Sequence, residues 1–283
     1  MNLKIFTSIA VAVFSASIVY AADSTFNRTL NVSGAPTVSV TTGSGYIHLR
    51  PGSDSQVHIL GHVHASQGWF GGGGDNRVQE IVNDPPIVQS GNEITIGQRH
   101  SNDLFRNISI DYEIDLPRTS NLNAVTGSGD IDVQNVGASI KAQSGSGTVR
   151  AHGIGGGSIL GTGSGDIELE QTGPGDVKAE TGSGSIRLHG VSGGLKASTG
   201  SGDIETEGQP TSDWRISTGS GSVRLTVGSA RFNLDADTGS GSINVAQPIT
   251  MQGSLNHHHV SGAVNGGGPT IRANTGSGDI QIN

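Results

Sequence analysis

Three groups of residues in this chain have types and spacings that could do chemistry. His58, His62 and His64 lie within "QVHILGHVHA", where alternation puts His62 and His64 on one strand face. Such a pair could ligate zinc if a third ligand joined it; beside Leu60 it reads more simply as outward polar residues. His257, His258 and His259 form a second group. Neighbours in an extended chain point opposite ways, so an exposed turn is favoured over a metal site, and no metal is assigned. The third group is the repeated "GSGD", with Asp130, Asp166 and Asp203. Calcium β-rolls repeat G-G-x-G-x-D-x-U-x, but here Ile167 and its equivalents hold the ligand place and Asp stands one place earlier, in only half of the repeats. These Asp residues read as turn residues bonding their own backbone.

Catalysis has little to stand on. A polysaccharide lyase or hydrolase needs acids and bases gathered in a groove where the repeat breaks, and the acids here obey the repeat. There is no cysteine to act as nucleophile, and no Ser-His-Asp order stands out. The sequence favours a non-catalytic binding or scaffolding protein, with a carbohydrate-active β-helix enzyme as the alternative, and no cofactor is expected. The candidate binding residues are a basic row, Lys178, Lys196 and Arg215, and the loop pair Trp69 and Phe70 in "SQGWFGGGGDN", whose alternative is to pack back on the sheet.

What positions these residues is a repeat. Copies of Thr-Gly-Ser-Gly begin at Thr126, Ser144, Thr162, Thr181, Thr199, Thr218, Thr238 and Thr275, in steps of 18, 18, 19, 18, 19, 20 and 37. The long last step predicts a degraded copy at His259, "HVSGAVNG", and an earlier copy starts at Thr42. The sixth residue of each copy is β-branched: Ile131, Val149, Ile167, Ile186, Ile204, Val223, Ile243, Val264 and Ile280. Alternation on both sides of the corner predicts two short strands per repeat. A unit this small cannot bury its own apolar face, but stacked copies can. The expectation is an all-β fold: a β-solenoid of stacked 18–20-residue two-strand coils over residues 121–283, after an N-terminal β region at 22–120 with hairpins inserted after the first coil. Corner glycines are expected to supply positive φ. "GGGSILG" before Thr162 reads as a one-residue slip and predicts a bulge.

Charge follows the same frame. The seventh residues run Asp132, Arg150, Glu168, Arg187, Glu205 and Arg224, so in-register coils would place opposite charges side by side. The other strand breaks this rule with Lys178, Lys196 and Arg215, which Asp176, Glu180 and Asp213 are expected to offset.

Glycine is abundant, 46 of 283 residues, and hydrophobic residues are scarce at 33%, which suits a thin core served by many turns. The start has the form of a secretory signal: Lys4, the apolar "IFTSIAVAVFSASIV", and small residues before a cleavage point between Ala21 and Ala22. Export to the periplasm, the cell surface or the medium is expected, with no membrane-spanning segment in the mature chain. Loss of Lys4 takes the formal charge from −8 to −9, which argues against nucleic acid. The expected partners are an anionic envelope glycan or another envelope protein. The closing strand "DIQIN" reads as an uncovered edge, which predicts edge-to-edge self-association.

"FNRTLNV", "TGSGYIHL", "DYEIDLP" followed by "NLNAVTGSGDIDV", and the closing "GGGPTIRANTGSGDIQIN" together resemble the bacterial "putative adhesin" family, also called the toast-rack β-strand repeat domain. The resemblance spans residues 25–283. It implies an exported β-solenoid without established enzymatic activity, and it brings no catalytic or binding residues with it.

Overall fold

The computed structural model describes residues 23–65, 74–97, 103–250 and 258–283. The signal segment, Trp69, Phe70 and His257 lie outside the described residues. The described chain is all-β apart from one α-helix, Gly74–Asn83, and a single 3-10 turn, Asp103–Phe105. The strands form one mixed, mostly parallel sheet that curves nearly closed on itself.

Each repeat gives one strand before its Thr-Gly-Ser-Gly corner, here the approach strand, and one after it, the exit strand. Approach strands pair in parallel with approach strands: Ile140 stands beside Leu122 and Ser158, and Ala142 beside Ala124 and Leu160. Exit strands do the same, so Ile131, Val149, Ile167, Ile186 and Ile204 form one inward row, each fully buried. On the outer face of the exit strands the expected charge ladder is present. Asp132, Arg150, Glu168, Arg187, Glu205 and Arg224 are successive partners.

The corner explains the repeated phrase, and the expected positive glycine φ is found only in the last two copies, at Gly241 and Gly278. Gly127, Gly129, Gly145, Gly147, Gly163 and Gly165 do not have positive φ. They are glycine because a Cβ there would overlap the carbonyl oxygen of the corner below. The threonine is a latch. Thr162 Oγ1 donates to the Gly147 carbonyl at 2.8 Å and accepts the Gly165 N–H at 3.2 Å. Thr126, Thr181 and Thr199 donate likewise to Gly45, Gly165 and Gly184. A buried hydroxyl is thereby satisfied in both roles. The corner Asp residues also differ from expectation. They bond the next coil rather than their own backbone: Asp130 accepts from Thr148 N–H, Asp166 from Ser185 and Asp203 from Ser222, each at 2.8 Å. This is why Asp occupies alternate coils: each one serves the neighbour that lacks it.

Two expectations near the C-terminus are corrected. The last repeat does not lie at the edge. Its approach strand, Thr270–Ser277, pairs on one side with Trp214–Thr218 and on the other with Asn233–Thr238. Ile280–Ile282 is likewise flanked by Val223–Leu225 and Ile243–Val245. The final coil is thus slotted between the two before it, and the motive for pairing through an open C-terminal strand disappears. The supposed degraded copy is not a coil either. His259–Val264 runs antiparallel to Phe232–Asp237, with Val264 opposite Phe232, and the long step in the repeat is a hairpin excursion.

The N-terminal region closes the other end. Thr37–Thr42 joins the approach strands beside Asn121–Thr126 and carries Glu93–Gly97 on its far side. Ile47–Pro51 joins the exit strands, followed by Ile108–Leu116, Gln56–Ala65 and Asp23–Asn31. The inserted strands therefore extend and cap the sheet. The helix was not foreseen. Val78 and Ile81, spaced i, i+3, are buried on its inner face where it packs on Asp23–Asn31 and Gln56–Ala65; that period was readable just after the glycine run.

Candidate binding face

In an approach strand the residue three before the corner points outward. In-register pairing gathers these residues into one line: Asn123, Lys141, Ile159, Lys178, Lys196, Arg215, Arg272 and Asp235. The sequence-predicted row of Lys178, Lys196 and Arg215 is therefore contiguous, at a strand spacing of about 4.8 Å. It is also longer than expected. Because the last coil is slotted inward, Arg272 stands beside Arg215, where chain order had placed Asp235. Lys141 continues the row on the other side of Ile159.

Like charges at this spacing repel, and the offsetting groups are fewer than expected. Glu180 accepts from Lys178 Nζ at 2.8 Å and from Lys196 Nζ at 2.6 Å. These two hydrogen bonds hold its carboxyl below the ordinary glutamate range. Asp176 and Asp213 do not pair with the row; they accept the backbone N–H of Gly194 and Thr270, each at 2.8 Å. Arg272 reaches Asp235 at 3.6 Å. Among the described residues Lys141 and Arg215 make no ion pair.

Next to the row lies a groove of about 630 Å³ across the first residues of five neighbouring approach strands. Outward Lys141, Ile159, Lys178 and Lys196 line it, together with Leu122, Ile140, Ser158, Val177 and Leu195, whose side chains are buried. The expected bulge does not fall at Ser158, which sits in register between Ile140 and Val177; a register shift lies just upstream, between Ala151 and Ile154. Serine occupies an apolar slot and isoleucine the outward one. Ser158 is 1% exposed with an unpartnered hydroxyl, while Ile159 is 46% exposed. Sequence reading took this inversion for a slip, because both shift an isoleucine by one place.

The histidines that drew attention first are not brought into a zinc triad. His58, His62 and His64 line the outer face and their side chains reach Asp115, Glu113 and Asp111, at 3.7, 3.5 and 3.2 Å, which is the polar-outward reading. Among the described residues only Asp235, Asp237 and His259 place one ligand atom each within 4.8 Å of one another. Those atoms are already engaged: His259 Nδ1 lies 2.7 Å from Asp237 Oδ1, and Asp235 faces Arg272.

The all-β, mostly parallel sheet is consistent with what comparison with known families finds. Residues 74–283 match the family described as Toastrack DUF4097. The chain belongs to that family. The match starts later than the resemblance in the sequence suggested, although the toast-rack sheet itself continues back through Thr37–Thr42 and Ile47–Pro51. No curated protein matches the chain. A crystal structure described as a "putative lipid binding protein" from Parabacteroides distasonis is similar, at 14% identity and a TM-score of 0.50, covering 92% of this chain and 96% of that one. Another, a "putative adhesin" from Bacteroides fragilis, has 15% identity and a TM-score of 0.48, covering 92% and 97%. At 14% identity the likeness to the Parabacteroides structure is one of fold.

Proposed function

We propose that this toast-rack protein is an exported, non-catalytic β-solenoid whose approach-strand face binds an anionic polymer of the cell envelope. The observation that carries the reading is the row Lys178, Lys196, Arg215 and Arg272, four successive cations on one sheet face of a chain whose net charge is −8. The exit-strand face of the same coils alternates sign, so mixing charge was available to this fold and was not used here. A rigid line of cations at strand spacing suits a polymer with regularly placed carboxylates or phosphates. Export is supported by the signal-like first 21 residues. The repeated acids support a non-catalytic role, because Asp130, Asp166 and Asp203 already accept N–H groups of the next coil.

Polygalacturonate is a usable probe. Changing Lys178, Lys196 and Arg215 together to Gln is expected to weaken binding by about tenfold or more and to flatten its dependence on salt. Unchanged affinity would reduce the row to a solvated face. Glu180→Gln is expected to act in the opposite direction. It removes the negative charge that both lysines share, and affinity for the same probe should rise about two- to fivefold, since exposed pairs are worth about 0.2–1 kcal/mol. A fall in affinity would show that Glu180 positions the lysines for the polymer.

A further inference from the structure

We infer that the break in the cationic row is a subsite for one pyranose ring of an acidic polysaccharide, with Ile159 as its platform and Lys141 and Lys178 as its anion contacts. The inference rests on the polymer reading above for the role of the cations, and it narrows that polymer to one built of sugar acids. Only outward groups take part. In this coil the outward places hold Gly157, Ile159 and Gly161. The coil on one side has Ser139, Lys141 and Gln143 there, and the coil on the other has Asp176, Lys178 and Glu180. One coil thus presents an apolar side chain, 46% exposed, between two residues without side chains. A single coil that departs from the pattern of its neighbours is where a functional site is expected.

Neither of the two places requires glycine. Neither has positive φ. An added Cβ would meet nothing closer than the Asp176 carbonyl oxygen at 3.5 Å from Gly157, or the Glu180 carbonyl oxygen at 3.8 Å from Gly161. That is ordinary contact, unlike the overlap at the corner glycines. A strand glycine without such a reason weakens the strand and marks a place where a ligand comes close. The groove of about 630 Å³ runs over Gly157 and along Ile159, within the usual size of small-molecule sites.

Three chemistries meet there, and each narrows the ligand. Ile159 and the bare glycine backbone suit an apolar C–H face. Lys141 and Lys178, one strand away on either side at about 4.8 Å, suit carboxylates or phosphates. Asp176 lines the same groove and accepts the Gly194 N–H through Oδ1 at 2.8 Å. An ionised carboxylate only accepts, and it has room for further donors. A polyphosphate offers neither an apolar face nor a donor, and Asp176 repels it. A uronate ring offers all three: a C–H face for Ile159, hydroxyl donors for Asp176 and a carboxylate for a lysine.

The test titrates the mature chain with polygalacturonate and, at equal concentration of charge, with linear polyphosphate, a polyanion without rings or hydroxyls. The parent is expected to prefer polygalacturonate about tenfold. Gly157→Val fills the trough with a side chain suited to a strand. It should weaken polygalacturonate about fivefold or more, leave polyphosphate unchanged, and leave the thermal midpoint unchanged or raised; a purely structural glycine would lower the midpoint instead. Ile159→Ser should likewise weaken polygalacturonate alone. Asp176→Asn keeps an acceptor for Gly194 and removes the charge, so polyphosphate should gain more than polygalacturonate. Equal affinity of the parent for the two polymers would overturn the inference and leave the cationic row standing, as would equal losses of both in the Gly157→Val and Ile159→Ser proteins. Binding of neither polymer would overturn the polymer reading, and the inference with it.

Discussion

Ile167→Asp is expected to destabilise the protein by about 3–5 kcal/mol, a large share of an ordinary domain's stability. Ile167 has no exposed surface and lies in the parallel ladder between Val149 and Ile186, themselves fully buried. A carboxylate there would have apolar neighbours above and below and no cation to pair with. The cost should spread, because each coil is stabilised by its contacts with the next; broken at the middle, the stack loses the interface on both sides. Ile159→Asp is the internal control, the same substitution on an approach strand but outward, and it should stay within about 0.5 kcal/mol of the parent. Urea unfolding of both proteins distinguishes a buried row from an amphipathic pattern that happens to alternate. Similar losses in the two would contradict the assignment of faces.

Gly165→Ala is the second large effect, expected to cost about 1–3 kcal/mol. An added Cβ would overlap the Gly147 carbonyl oxygen, and the nearest atoms are all backbone of the corner below, which cannot swing aside. The same overlap recurs at Gly129, Gly147, Gly184 and Gly202 against the corner beneath each of them. The corner spacing is set by this contact, and the threonine latch is built to that spacing. Gly161→Ala, four residues earlier, provides the contrast. Its Cβ would meet nothing closer than the Glu180 carbonyl oxygen at 3.8 Å, and replacing a strand glycine should leave stability unchanged or slightly raised. Equal destabilisation by the two changes, measured as shifts in urea midpoint, would mean that glycine flexibility rather than close stacking governs the corner.

Much of this fold is readable in the sequence because the side-chain period and the repeat period coincide. Ile131 to Ile204 in one row, the alternating charges from Asp132 to Arg224, and the insertion of hairpins after the first coil all follow from period-two alternation and a fixed step. What the sequence hides is the order of coils in space. Thr238 precedes Thr275 in the chain, yet the coil of Thr275 packs between those of Thr218 and Thr238. Local pattern carries no information on which neighbour a coil selects. The same limit hid the reason for the glycines, since φ belongs to one residue and close approach belongs to two coils.

The cationic face was partly legible for the same reason. Lys178, Lys196 and Arg215 fall at equivalent places in consecutive repeats, so their row could be read directly. Arg272 could not, because its place in the row depends on the coil order. The groove was invisible as a groove, although its signal was present: "GGGSILG" departs from the frame, and the departure is a side-chain inversion rather than an inserted residue. The roles expected for Asp176 and Asp213 failed because carboxylates near a basic row were assumed to pair with it, whereas each caps a backbone N–H of an adjoining strand.

The most direct test of the cationic face compares two triple substitutions that change net charge equally. One replaces Lys178, Lys196 and Arg215 with Gln; the other replaces Arg150, Arg187 and Arg224, which lie on the exit strands of the same stack. Binding of polygalacturonate is measured for both across a range of salt concentrations. The account predicts that the first protein loses affinity and salt dependence while the second stays close to the parent, because the approach-strand row, not overall charge, makes the site. Equal losses in both proteins, or a larger loss in the second, would contradict it.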